Sequence, residues 1–248
     1  MVRYLFDSLP DCRRQRPWAP TFPNGINWNN IPQQWRIYPD GVIFDAIEGT
    51  NPIKVFEVFF DYGMSADHNL ERAISPLACA IQYSNYEFAE FLLQKGANPN
   101  GLYMRGEDTF LSCAACSSTP DMLNLLVQHG ARLRGSQALR QAAQCCRVNN
   151  AKRLLELGVD INEVFTRYDY SSIPSRKVNC GCALHFAIKG RQLHKPITDS
   201  PTEMVRFLLE QGAQADILDG DGKTPLQVAR KARKRDIIQV FQEYGVIK

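Results

Sequence analysis

Residues 224–245 read TPLQVARKARKRDIIQVFQEYG, and the way this stretch opens and closes decides the fold. An apolar anchor, Leu226, stands near its start, and a glycine, Gly245, closes it 19 residues later. Back along the chain the same pairing recurs. The phrases VIFDAI, SPLACA, TFLSCA, QALRQA and CALHFA supply the anchors Phe44, Leu77, Leu111, Leu139 and Leu184; the closing glycines are Gly63, Gly96, Gly130, Gly158 and Gly212. Anchor and glycine stand 19 residues apart in every pair but the fifth, where the distance is 28. A fixed period of this kind is the signature of a stacked array.

Each 19-residue interval reads as two short helices. The first carries a small residue three positions after the anchor (Ala80, Ala114, Ala142, Ala187, Ala229), which lets neighbouring helices approach closely. The second has an apolar stripe at three-and-four spacing, as in Phe88, Phe91, Leu92 or Met204, Phe207, Leu208, the pattern of a buried helix face. The closing glycine supplies the left-handed stop after a helix. Polar turn residues follow, clearest in Asp219-Gly220-Asp221-Gly222 before the last opening. Leu77, Leu111, Leu139, Leu184 and Leu226 are therefore expected to be buried. Phe91, Leu92, Leu125, Leu126, Leu154, Leu155, Phe207 and Leu208 are expected to fill the layers between helices.

On these residues the chain resembles the ankyrin-repeat family, whose unit of ~33 residues opens Thr-Pro-Leu-His-x-Ala. Thr224-Pro225-Leu226-Gln227-Val228-Ala229 matches all but the histidine, Ser75-Pro76-Leu77-Ala78-Cys79-Ala80 nearly matches, and Ala183-Leu184-His185-Phe186-Ala187 keeps the histidine and the alanine. The resemblance covers residues 39–248, its first unit at Phe44 and Gly63 being the most degenerate. It implies an all-α solenoid of about six helix-turn-helix units with short finger loops. It also implies a structural His185, its ring bonded to backbone in the adjoining turn.

Departures from the period are where function is sought. Glycine-to-next-anchor distances run 14, 15, 9, 26 and 14. The long finger, near 161–181, carries Phe165, Tyr168, Asp169, Tyr170, Arg176 and Lys177. A second insertion, near 189–202, separates the two helices of the same unit and holds His194, Pro196 and Pro201. Residues 1–38 belong to no repeat, yet hold all three tryptophans, Trp18, Trp28 and Trp35, among closely spaced prolines. Such a segment either caps the open end of the array or walls a pocket with the first concave helices, where Asp45 and Glu48 supply polarity.

Composition narrows the classes. With 44% hydrophobic and 22% charged residues, the chain reads as globular rather than disordered. No apolar run approaches a membrane span, no secretory leader precedes the repeats and no Asn-x-Ser/Thr acceptor occurs, so membrane insertion and secretion are not expected. The expected place is the cytoplasm or nucleus. A net charge of +3 conceals polarity: residues 1–124 carry 9 Lys/Arg against 14 Asp/Glu, and residues 125–248 carry 20 against 12. That asymmetry steers charged partners without naming one.

Candidate chemistry is sparse. Without a secretory context all eight cysteines are expected to be free thiols. Cys113-Ala114-Ala115-Cys116 has CxxC spacing but lies inside a first helix, where packing accounts for it and redox chemistry is not expected. Cys180-x-Cys182-x-x-His185 has the look of a metal half-site, and Cys145-Cys146 lies in the preceding unit, but ankyrin-type spacing keeps these too far apart to share an ion; no metal and no cofactor are expected. The run Arg230 to Arg235 holds five basic residues in six positions, read as a solvated helix-to-helix turn or as a nuclear-localisation or acidic-partner patch. No phosphate loop, nucleophile elbow or HExxH is present.

The function implied is a protein–protein interaction scaffold that recognises its partner through the concave groove. Its binding residues would come from Trp18, Trp28, Trp35, Asp45, Ser112, Arg140, Gln144, Tyr168, Tyr170, His185 and Gln227. The chain is read as a monomer, with nucleic acid and membrane not expected as partners. The rival is a small-molecule binder or enzyme with a pocket between residues 1–38, the concave helices and the long finger. In that case His185, Asp45, Asp169 and Arg140 are the residues to test as acid, base or anion clamp.

Overall fold

The structure, a computed structural model, describes residues 40–70, 74–103, 108–169, 176–190 and 200–246. Along these residues run helices α1 (Asp40–Glu48), α2 (Pro52–Asp61), α3 (Pro76–Gln82), α4 (Tyr86–Gln94), α5 (Phe110–Ser117), α6 (Pro120–Gln128), α7 (Ala138–Gln144) and α8 (Val148–Glu156). Strands β1 (Phe165–Asp169) and β2 (Arg176–Gly181) follow, then α9 (Ala183–Lys189), α10 (Pro201–Glu210), α11 (Pro225–Lys231) and α12 (Arg235–Glu243). None of the described helices is long and apolar enough to cross a membrane. The described residues fall into two compact units, one within Met1–Ala80 and Glu87–Asn98, the other within Ile81–Tyr86 and Pro99–Lys248.

In the first unit α1 packs on α2, and aromatic rings fill the space between helices. The Phe56 ring meets Phe88 edge-on at 4.8 Å, while Phe60 stacks on Phe91 at 5.7 Å. The stack keeps Phe91 half-buried, short of the full burial its place in the stripe predicts. The first anchor also shifts: Ile43 is 0% exposed while Phe44 is only half-buried.

In the second unit the first helices α5, α7, α9 and α11 pack each on the next, and so do the second helices α6, α8, α10 and α12. Two layers result. Leu111, Leu139, Leu184 and Leu226 are at most 1% exposed, as is Leu77 in the first unit. Leu125, Leu126, Leu154 and Leu208 are buried as expected, and so is Leu92 in the first unit. Leu155 and Phe207 are only half-buried, since sequence neighbours on a helix point about 100° apart and the core takes Leu154 and Leu208.

Local chemistry explains where the helices start and stop. Thr109 accepts the Ser112 N–H at 3.1 Å, Ser200 and Glu203 form a reciprocal capping box, and Thr224 and Gln227 form another. At the far ends, Gly130 N–H reaches the Val127 carbonyl and Ala131 N–H the Leu126 carbonyl, both at 2.9 Å. That pattern needs a left-handed residue, and Gly130 has φ +93°. A second left-handed position recurs seven residues after the anchor, at the turn between paired helices, occupied by Ser84, Cys146 and Arg233. Just beyond that turn, Arg147 Nε donates to the Cys116 carbonyl at 3.0 Å and Lys234 Nζ to the Ile188 carbonyl at 2.6 Å. Each cation ties its turn to the end of the preceding first helix, where carbonyls lack helical partners.

The fingers are linked by a repeated rung. A side chain four residues after one closing glycine accepts the N–H two residues after the next: Asp67 from Asn98 (2.7 Å), Asn100 from Arg132 (2.9 Å) and Asn162 from Gln214 (2.8 Å). The equivalent position after Gly130 is Arg134, which has no acceptor atom. There the Glu163 carboxylate takes the Gly135 N–H instead; burial raises its carboxyl pKa against the opposing pull of that bond.

The enlarged finger folds as an antiparallel hairpin, pairing Arg167 with Val178 and Tyr168 with Lys177. It is the one departure from helix among the described elements. Its β2 strand is clipped to the following finger by Asn179, whose Nδ2 donates to the Leu218 carbonyl at 2.9 Å.

The expectation of eight free thiols is corrected here. Cys116 and Cys145 are joined in a disulfide. Positions five and six after their respective anchors meet across α5 and α7 with Cα atoms 5.5 Å apart, inside the range a disulfide spans. Thiols remain at Cys79, Cys113, Cys146, Cys180 and Cys182 among the described residues.

Candidate functional site

Four stacked first helices of the second unit carry Ser112, Arg140, Gln144, His185 and Gln227, and the structure gives these residues different work. Ser112 is 0% exposed and its hydroxyl donates to the Thr109 carbonyl at 2.8 Å, so it serves the start of α5. Gln227 is exposed, but its side-chain oxygen accepts the Thr224 N–H at 3.0 Å and closes a capping box.

His185 is buried with both ring nitrogens engaged. Nδ1 accepts the Cys182 N–H at 3.2 Å, with the Cys182 sulfur at 3.3 Å, and Nε2 lies 3.0 Å from the Lys223 carbonyl. An accepting Nδ1 puts the proton on Nε2, which then donates to Lys223. Burial holds the imidazole pKa below its ordinary value, and the Lys223 carbonyl and nearby Asp219 offset this only in part. The ring therefore stays neutral and ties the start of α9 to the next finger, with neither nitrogen left for a ligand. Burial also pushes up the Cys182 thiol, against hydrogen bonds from nearby backbone N–H groups. In the first unit burial, aided by Glu48, pushes Cys79 up to about 11.

Arg140 is the centre of a polar cluster. Its Nη2 meets Asp108 Oδ1 at 2.7 Å, and Gln141 Nε2 donates to the same oxygen at 2.7 Å. Nη1 reaches Gln144 at 3.5 Å. The guanidinium also lies over the Phe186 ring, 5.3 Å from its centroid, with the Lys189 ammonium at 5.7 Å, close enough for cation–π attraction. Phe165, at the base of β1, packs edge-on against Phe186 at 5.8 Å. The hairpin is thus seated on the same ring that Arg140 and Lys189 cover. Two buried atoms in the cluster, Arg140 Nε and Gln141 Oε1, have no hydrogen-bond partner among the described residues.

Asp219 sits behind this row. Burial works to raise its carboxyl pKa, but N–H bonds from Lys223 and Asp221 and the charge of Lys189 outweigh it and hold the pKa low. Its second oxygen is 3.7 Å from Lys189 Nζ.

The other expected residues fall elsewhere. Asp45 is exposed on α1 in the first unit. Tyr168 and Asp169 lie in β1, opposite Lys177 and Arg176. Trp18, Trp28, Trp35 and Tyr170, with most of the 189–202 insertion, lie outside the described residues, as does the segment that would wall a pocket. Of the basic run, Lys231, Arg233 and Arg235 are exposed, while Lys234 is spent on the Ile188 carbonyl. Among the described residues no three His, Cys, Asp or Glu side chains come together as a metal set. Sequence reasoning passed over Asp108, Gln141 and Phe186. Asp108 directly precedes the Thr109 cap, and Phe186 follows the motif histidine; neither position stands out by period.

Paired helices closed by left-handed glycines, a Thr-Pro-Leu opening with its capping box and fingers between units define the class by its fold, that of the ankyrin repeat. A match to the Ankyrin repeat family covers residues 74–102. The chain is similar to the ankyrin repeat protein FPV014 of Fowlpox virus (strain NVSL), 30% identical over 134 residues, which is 50% of this chain and 29% of that protein. It is 25% identical over 194 residues to FPV018 of the same virus, covering 71% of this chain and 27% of that protein. The chain therefore spans less than a third of the length of these relatives. Among solved structures, the ankyrin repeat protein EF0377 aligns with a TM-score of 0.62 at 24% identity over 84% of this chain and 100% of that one. An ankyrin repeat domain (ABAYE2397) from Acinetobacter baumannii AYE aligns with a TM-score of 0.58 at 24% identity, over 83% and 97%. These two share the fold.

Proposed function

We propose that the chain is a recognition protein that binds an acidic segment of a partner protein along the first helices of its second unit and the hairpin finger. The carrying observation is the basic–aromatic cluster of Arg140, Phe186 and Lys189 on which the hairpin is seated. Two features extend it. Arg167 and Lys177 on the hairpin are exposed and form no ion pair among the described residues, and the half of the sequence that holds them carries 20 basic against 12 acidic residues. A preformed row of side chains costs little ordering entropy on binding, and rim cations chiefly govern association rate and salt dependence.

The test replaces Arg167 and Lys177 together by Glu and measures affinity for a partner identified by affinity purification. Circular dichroism checks that the fold is kept. Binding is expected to weaken about tenfold or more, and wild-type association to slow as salt rises from about 50 to 500 mM. Unchanged affinity and no salt dependence would move the interface away from the finger.

A further inference from the structure

We propose that Cys116 and Cys145 are a reversible redox site, a disulfide between the third and fourth repeats that a dithiol opens and a disulfide oxidant closes. Four features coincide at this junction. Its finger is the shortest, nine residues from Gly130 to Leu139 where 14 or 15 are usual. Its rung is irregular, because Arg134 stands where Asp67, Asn100 and Asn162 accept elsewhere and Glu163 reaches back to Gly135 in their place. Both buried side-chain atoms that lack a hydrogen-bond partner among the described residues, Arg140 Nε and Gln141 Oε1, lie on α7 at this junction. And here the two cysteines are joined. The junction keeps polar ties of its own, Arg140 and Gln141 on Asp108 and the Thr109 hydroxyl on the Ser136 carbonyl, so it stays assembled when the bond opens and loses only the constraint the bond itself adds.

The two sulfurs differ in access, which sets the direction of exchange. Cys116 is half-buried and Cys145 is 0% exposed, so an incoming thiolate attacks the Cys116 sulfur. The Cys116–Cys145 bond breaks, Cys145 leaves as thiolate and takes up a proton, and a mixed disulfide links Cys116 to the reductant. The reductant's second thiol then attacks its own sulfur in that mixed disulfide, releasing Cys116 as a thiol. The dithiol has become a cyclic disulfide, and its two electrons and two protons reside on Cys116 and Cys145. Closure is the reverse. When the bond is open, Arg147 on the Cys116 carbonyl and Asn150 on the Ala115 and Ser118 carbonyls, at 3.0, 3.0 and 2.9 Å, still hold the turn side. The opening is therefore local to the junction rather than a loss of the array.

The experiment uses the full chain equilibrated at graded ratios of reduced to oxidised dithiothreitol, then alkylated and mapped by peptide mass spectrometry. A peptide linked through Cys116 and Cys145 should appear and vanish as the ratio is varied, reversibly. In the reduced chain, amide hydrogens of residues 110–117 and 138–144 should exchange about tenfold faster or more, with residues 201–210 unchanged. The melting temperature should fall by about 5–10 °C on reduction. Cys116→Ser should abolish the difference between buffers, whereas Cys79→Ser should keep it; reducing the wild-type chain makes the same comparison should the variant fail to fold. The proposal is overturned by a link to Cys113 or Cys146 instead, by no linked peptide at any ratio, by a bond that resists reduction in the folded chain, or by equal exchange in both states.

Discussion

His185 is held neutral by burial and by two hydrogen bonds that only one tautomer satisfies, and its protonation state is therefore coupled to folding. Its folded pKa is below the ordinary 6.5, so the unfolded chain binds the proton first as pH falls. Stability from this group is fully present above pH 6.5 and is lost as pH drops through that value toward the folded pKa. The melting temperature should therefore decline between pH 7.5 and 5.5. His185→Asn should flatten this dependence and cost about 1–3 kcal/mol at pH 7.5, through the unpaired Lys223 carbonyl and Cys182 N–H. Gly181 guards the same ring. It has φ +91°, and a Cβ there would come within 2.6 Å of the imidazole. Gly190, at φ +64°, has open space around it. Gly190→Ala should cost about 1–3 kcal/mol for a backbone at φ +64°, ψ 169° that essentially only glycine adopts, and Gly181→Ala, which adds a clash to a positive φ, at least as much, as denaturant midpoints will show.

Among elements, the finger that lacks its rung makes the sharpest case. Glu163 replaces the missing acceptor by reaching back to Gly135, and burial raises its carboxyl pKa. A raised carboxyl makes its stability contribution at low pH and loses it as pH climbs through the folded pKa. Glu163→Gln keeps an oxygen for the Gly135 N–H and removes the buried charge, so it should raise the melting temperature at pH 7 and have less effect near pH 4. Little of this was legible in the chain. The glycines and anchors were, because each performs the same task in every unit and so recurs at a fixed interval. Arg134 and Glu163 compensate each other once, and a single exchange leaves no period. The first anchor slipped for a related reason: Val42, Ile43 and Phe44 are three apolar residues in a row, and only packing selects Ile43. Cys116 and Cys145 were expected as free thiols and their pairing was not legible, because they occupy different positions in their units and their meeting depends on how α5 lies against α7. The finger's length announced it as the exceptional loop, whereas the pairing of β1 with β2 and its seat on Phe186 required the neighbouring repeats.

At the scale of the molecule, stacked repeats draw their stability from nearest neighbours, so truncating one anchor should be felt first in its own neighbourhood. Leu184 is 0% exposed and its helix α9 contacts both α7 and α11. Leu184→Ala should cost about 2–5 kcal/mol. Hydrogen exchange should show the faster amides in α7, α9 and α11, with α1 and α2 unaffected. A uniform increase across all helices would instead mean that the array unfolds as a single cooperative block.

The disulfide also limits how far the chain can be drawn out under force. A closed bond between residues 29 positions apart withholds that stretch from extension, at about 3.5 Å per residue. Pulled from its two ends, the oxidised chain should reach a final contour length about 100 Å shorter than the reduced one. A single-molecule stretching record would thus read the state of the bond directly from the length of the unravelled polypeptide.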